Sequence, residues 1–404
     1  MVANTFSVER LAYLLICLSI GTALLYIGSS FFIPMVYGLL LAFLLKPACD
    51  RIERVLPNRV VAILLSMLVT GLIVGVILFF FAVQVMEIAS TADNIAASLL
   101  DSWREVTETA GEFFGLTKWE TTRLMEQNIA DSIDQPWGIV TTGLSISGVV
   151  IANFVLVVIY SFFFLLYSTA FKRFVLGQFP LDKQEESMQT MREVQAVATG
   201  YLSGVLTVML ILGVLNSVGL YFIGIKYALV WGFLAALLSI IPYIGTTIGG
   251  LLPFLYALAT TDNLYQPAMV AVLYVTVQTL EGNIITPKVV GNSVKINALA
   301  AVVSIILGAL IWGLPGVVIA IPILAMVRII MEHVGPLKPV ALLLSDDLYD
   351  HSERFLHDFN APQNRLAALF NASKKQGRRV RLLSPQPPDQ VGEPDPQIIT
   401  NPET

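Results

Sequence analysis

Apolar residues fill this chain in blocks too long and too continuous to be the buried stripe of a soluble helix, and the polar breaks between the blocks set its organisation. Leu11 to Phe32 and Phe31 to Leu45 are two apolar runs separated near Pro34, which predicts a helical hairpin. A basic loop to Arg59 follows, and Val60 to Val85 crosses outward. Between Glu87 and Trp137 the apolar run stops. That segment holds ten acidic residues against Arg104, Lys118 and Arg123, with Ile95, Leu99, Leu100, Trp103, Phe113 and Phe114 interspersed. The interspersed apolar residues suggest amphipathic helices on the membrane surface or against a neighbouring subunit, and the acidic stripe either draws cations to a mouth or, as the more ordinary reading, is a plain solvated face. Ser147 to Phe171 crosses back to Lys172 and Arg173. Asp182 to Val197 has the mixed pattern of a cytoplasmic amphipathic helix, and Tyr201 to Ile223 crosses outward again.

The later blocks are shorter. Ala228 to Ile241 and Thr246 to Ala259 are each about 21 Å long as helix, against a hydrocarbon core of about 30 Å. The break between them is Ile241-Pro-Tyr-Ile-Gly245, so a re-entrant hairpin and a pair of tilted spans are both open readings. Tyr265 to Ile285 crosses inward and meets Glu281, Gly282, Asn283 and Pro287 before it can have left the bilayer. Ala298 to Trp312 and Val317 to Ile330 then repeat the pattern of two short halves, broken at Gly313-Leu-Pro-Gly316. A single pass there would leave the basic tail outside, so two passes or a second re-entrant hairpin is expected. After about Ser384 the Pro- and Gln-rich end is expected to be disordered.

Composition supports the membrane reading. The 404 residues are 56% hydrophobic and only 13% charged, too few charges for the surface of a soluble domain. The expected class is an all-α polytopic membrane protein with about eight membrane-crossing or re-entrant helical segments and broken helices in the C-terminal half. Its parts are N-terminal transmembrane helices in 1–86, an external amphipathic segment in 87–138, and central transmembrane helices with a cytoplasmic amphipathic helix in 139–223. A transport core follows in 224–335, and a cytoplasmic tail in 336–404. Lys46, Arg51, Arg54 and Arg59 place the first loop, and with it the N-terminus, in the cytoplasm, and Arg354, Lys374, Lys375, Arg378, Arg379 and Arg381 place the tail there too. Cys17 and Cys49 suggest neither a disulfide nor a thiolate metal site.

All three histidines lie at or beyond the end of the last apolar run, and no phosphate-binding GxxxxGK[ST] loop occurs. An enzyme is therefore not expected, nor is any cofactor, metal or nucleic-acid partner. What remains is broken helices carrying a few polar groups. An ionised carboxylate near the bilayer centre costs roughly 2.5–3.5 kcal/mol, so such groups face protein or a water-filled cavity. Tyr274, Gln278, Glu281 and Ile285 fall at helical spacing on one face. Glu281 in a dry site is a candidate for binding and releasing a proton, or else a structural carboxylate capping amides freed by Gly282 and Pro287. Gln278, Glu281, Asn283 and Thr286 are the candidate solute or ion pathway; Gln278 and Asn283 also fit polar glue between helices. Pro242, Gly245, Gly282, Pro287, Gly313, Pro315 and Gly316 are the candidate helix breaks or gates.

Three stretches make the sequence recognisable. PYIGTTIGGLLPF (Pro242 to Phe254), QTLEGNIITPKVVGNSVKIN (Gln278 to Asn297) and WGLPGVVIAIP (Trp312 to Pro322) closely resemble the AI-2E family of bacterial permeases, over about Leu11 to Pro339. The resemblance implies an oligomeric inner-membrane protein that moves small solutes without ATP. Members are linked to export of the quorum signal autoinducer-2 and, in others, to exchange of sodium or lithium for protons. No motif here chooses between those solutes, and a membrane scaffold that transports nothing is the reading from a different class.

Overall fold

The computed structural model describes residues 8–90, 147–241, 244–261, 263–291 and 294–346. The described residues form helices and no strand, so the all-α class holds. Most of the expected external segment, the tail beyond 346 and Pro242 lie outside them.

The helices are α1 (Val8–Ile27), α2 (Ser29–Glu53), α3 (Arg59–Ser90), α4 (Ser147–Leu166), α5 (Ser168–Leu176), α6 (Gln184–Ile223), α7 (Ala228–Leu238), α8 (Ile244–Thr260), α9 (Tyr265–Leu280), α10 (Thr286–Val289), α11 (Ala298–His333) and α12 (Lys338–Leu344). Five stretches, 29–53, 59–88, 181–223, 265–289 and 298–333, are long and apolar enough to cross a bilayer by length and composition, but the last is broken at Gly313 and its halves fold back on each other. The α4–α5 pair, bent by 62° at Tyr167, makes a sixth if taken as one span.

Two boundaries differ from the sequence pattern. The first break falls at Gly28, and Pro34 sits buried inside α2, so the chain does not reverse at Pro34. Gly28 N–H donates to Leu24 O and Gly28 O accepts from Phe32 N–H, so helical hydrogen bonding carries through the junction. The amphipathic stretch 182–197 and the apolar run 201–223 are also not separate: both belong to α6, a single helix of 40 residues. No proline interrupts residues 184–223, and nothing else there costs enough to end a helix.

α6 is the element the rest packs around. Its first half meets α2 and α11, where Ala198, Leu40 and Ile319 share a core. Its second half meets α7 and α9, and there Leu220, Trp231, Tyr256 and Val270 are buried with Ile88 from the end of α3. α2, α3 and α4 form a third contact around Leu45, Ile63 and Leu165. Hydrophobic burial adds little between helices in lipid, so close backbone approach matters more. Gly38 of α2 lies directly against Tyr160 and Ser161 of α4, and Ser161 is fully buried.

Several helix breaks leave carbonyls without an intrahelical donor, and side chains from other elements close them. Arg59 Nη2 donates to Leu165 O (2.6 Å) and Ser168 Oγ (2.6 Å) across the α4–α5 bend. Gln266 Nε2 donates to Ile223 O at the end of α6 (3.1 Å). Trp312 Nε1 donates to Leu25 O in the last turn of α1 (2.8 Å).

Candidate functional site

Both interrupted segments of the C-terminal half reverse direction. α7 and α8 lie against each other, with Gly249 on the backbone of Ala235 and Gly245 pressed on the carbonyl of Leu238. A side chain at 245 would overlap that carbonyl, which accounts for glycine there. Inside α11 the break is Gly313, at φ 62° and ψ −141°, a backbone state that L side chains rarely adopt. Gly308 and Gly316, eight positions apart, meet backbone to backbone, which a straight helix would keep about 12 Å apart. The chain therefore makes a U-turn at 312–315. That turn is held by Trp312 on Leu25 O and by Tyr37 of α2, whose hydroxyl donates to Pro315 O (3.0 Å). At the other end of the hairpin Asn297 Oδ1 caps α11 by accepting from Ala300 N–H (2.8 Å). Asn297 Nδ2 donates to Leu343 O (2.6 Å) and Ser345 O (3.3 Å), closing the end of α12.

Between the two hairpins runs the stretch that the sequence singled out. α9 ends at Leu280 and residues Glu281–Ile285 form one π-helical turn before α10. Such turns widen the helix by one residue and recur at functional sites. Here the insertion places Thr286, five positions on, beside Glu281: Thr286 Oγ1 is 3.5 Å from Glu281 Oε1, the limit of a hydrogen bond. The Gln278 amide lies alongside the same carboxylate. Glu281 Oε2 is buried and has no hydrogen-bond partner. Pro287 withholds the donor that would close a carbonyl of this turn.

The π-turn also splits the face expected from helical spacing. Tyr274 packs its ring on Gly250 of α8, with its hydroxyl buried and unpartnered, and Ile285 packs toward Val208 and Leu212 of α6. Gln278, Gly282 and Asn283 are exposed, and Asn283 Nδ2 donates back to Thr279 O (2.8 Å). Nothing lies within 4 Å of where a Gly282 side chain would begin. Gln278, Glu281, Asn283 and Thr286 are thus together on one short length of chain, whereas Gly245, Gly313, Pro315 and Gly316 lie in the two hairpin turns. Asn297, Trp312 and Tyr37, which clamp the second hairpin, escaped the sequence reading. The one available signal was an asparagine directly before an apolar run, a helix N-cap pattern. No group of three or more His, Cys, Asp or Glu able to hold a metal occurs among the described residues.

A family model described as AI-2E family transporter matches residues 15–335. The YueF protein of Bacillus subtilis is 23% identical over 319 residues, covering 74% of this chain and 83% of that one. MT0215 of Mycobacterium tuberculosis is 27% identical over 350 residues, covering 83% and 93%. Both are named as candidate transport proteins. The AI-2 transport protein TqsA of Escherichia coli is 26% identical over 192 residues, covering 46% of this chain and 56% of its own.

Proposed function

Because the chain belongs to the AI-2E family of transporters, and so is a multi-pass membrane protein of transport function, we propose that it is a secondary transporter that exports a small solute, driven by an ion gradient. The observation that carries this reading is the polar stripe Gln278, Gly282 and Asn283, exposed on an otherwise apolar span beside a Glu281 oxygen without a partner. Lipid is a poor neighbour for such groups. They call for water or solute, and the two hairpins flanking them supply the interrupted helices by which secondary transporters open such a path. Glu281 is the coupling group, and Thr286 and Gln278 orient it. Autoinducer-2 is the solute suggested by the name of the AI-2 transport protein TqsA. The family resemblance and the basic residues of the first loop and of the tail support a bacterial inner-membrane location with both termini cytoplasmic, and the resemblance supports a homo-oligomer.

One feature favours a second reading. A carboxylate and a hydroxyl oxygen side by side are hard ligands of the kind that alkali cations take, which suits a sodium or lithium for proton antiporter. One experiment addresses both. Purified protein in liposomes with an internal pH-sensitive dye is offered sodium, lithium or autoinducer-2, wild type beside Glu281→Gln. Proton flux driven by one of the three is expected, with a loss of at least about tenfold in the variant, which removes the ionisable group and keeps its shape. Undiminished flux in Glu281→Gln would end the coupling role. Absence of flux under every gradient would favour a scaffold over a transporter of these solutes.

A further inference from the structure

A cavity of about 680 Å³ opens at the basic end of the bundle, far along the chain from the Glu281 turn. It lies between the second half of α2, the α4–α5 bend, the start of α6 and the end of α11. Its walls are apolar, with Phe43, Phe171, Val175 and Val194 among them, and its polar edge carries Lys46, Lys172 and Lys183 against one carboxylate, Glu186. Lys46 is paired with Asp50 on its own helix. His333 Nδ1 is 3.0 Å from Ile329 O, and its Nε2 lies 3.7 Å from Glu193 Oε2. Lys172 is half-buried on the bent helix α5. Phe174 and Leu181, each two positions along the chain from Lys172 and Lys183 respectively, are 68% and 86% exposed, as side chains at the boundary between headgroups and acyl chains are.

A polar solute would waste these walls, and a neutral apolar one would leave the lysines without an anion. We propose that this cavity binds an anionic phospholipid from the adjacent leaflet, with its phosphate on Lys172 and Lys183 and an acyl chain along Phe43, Phe171 and Val194. Charge complementarity decides the headgroup, since basic pockets between transmembrane helices at the positively charged side select acidic lipids. The size suits part of an amphiphile rather than a hydrated ion. The bound lipid joins α2, α5, α6 and α11, and so fixes the base of the second hairpin. The site is independent of the transport reading and would stand if the solute proved different.

The test uses the delipidated full-length protein in detergent, titrated with phosphatidylglycerol, phosphatidylcholine or inorganic phosphate and read by native mass spectrometry. Phosphatidylglycerol is expected to bind at least about tenfold more tightly than phosphatidylcholine, and phosphate alone not at all. Lys172→Gln is expected to weaken phosphatidylglycerol about fivefold and Lys172→Gln with Lys183→Gln about twentyfold, as the loss of one or two surface-level charge contacts implies. Ser187→Trp, which puts a bulky ring on the cavity wall without altering charge, is expected to weaken binding of phosphatidylglycerol at least about tenfold. Lys226→Gln, at the opposite end of α6, is the control and should leave it unchanged. Equal affinity for phosphatidylcholine, or an equal response to phosphate alone, would overturn the assignment. Full affinity in the double lysine variant, with an unfolding midpoint equal to that of the wild type, would do the same.

Discussion

At the residue scale, Asn297 shows how much one side chain can do in this fold. Its amide oxygen satisfies an orphan N–H at the start of α11 and its amide nitrogen satisfies two carbonyls at the end of α12. Replacing a capping asparagine by alanine costs about 0.5–2 kcal/mol, and here two carbonyls lose their donor as well. Asn297→Ala is therefore expected to fall at about 2 kcal/mol, with Asn297→Ser recovering only the cap, roughly half. Thermal unfolding of the purified protein reads this, and equal midpoints for the serine and alanine variants would show that the cap contributes nothing. Glu281 is the contrasting residue. Its oddity was legible in the sequence, because a carboxylate, a glycine, an asparagine and a proline interrupt an apolar run. What was not legible was one of its neighbours: helical spacing put Gln278 and Ile285 on its face, and the π-turn keeps Gln278 beside the carboxylate but brings Thr286 there in place of Ile285. A one-residue widening leaves no periodic trace, since it shifts the pattern only where the helix is already broken.

At the element scale, the hairpins were readable from length. Halves of about 21 Å broken at glycine and proline, against a core of about 30 Å, left a re-entrant hairpin and a pair of spans open, and the reversals between α7 and α8 and at Gly313 agree with both. The 40-residue helix α6 was not readable: a change from amphipathic to apolar composition looks like a boundary, yet only backbone chemistry ends a helix. The glycines themselves divide into two kinds, and substitution should separate them. At Gly316 a Cβ would overlap the Gly308 carbonyl, so Gly316→Ala must part the two halves of α11. A loss of about 1–3 kcal/mol is expected, the usual cost of overpacking. At Gly282 a Cβ meets nothing within 4 Å. Gly282→Ala should therefore stabilise by about 0.5–1 kcal/mol, the helical preference for alanine. If Gly282→Ala raises the unfolding midpoint and slows transport together, the glycine serves solute passage or motion. If transport is unaffected, the open space beside it is not part of the path.

For the whole molecule, the two hairpins determine how the chain lies in the membrane. The second has its open end at Asn297, His333 and Ser345, near the lysine-edged cavity, and its turn against Leu25 and Tyr37. Its first half, residues 298–312, is about 22 Å long, too short to cross alone. The turn at Gly313 is thus expected to stop inside the bilayer, gripped by α1 and α2, with the open end at the cytoplasmic side as the excess of basic residues there requires. Single cysteines on a background with Cys17 and Cys49 replaced by alanine test this in intact cells and inverted vesicles, using a bulky membrane-impermeant maleimide. Lys295→Cys, exposed near the open end, should react only from the inner face. Leu314→Cys, at the turn and 63% exposed to its surroundings, should react from neither. Labelling of Leu314→Cys from outside would mean that the hairpin crosses completely. The clamp by Trp312 and Tyr37 would then close an outer mouth, and the break at Gly313 would sit in water, where a glycine turn needs no partner from α1 at all.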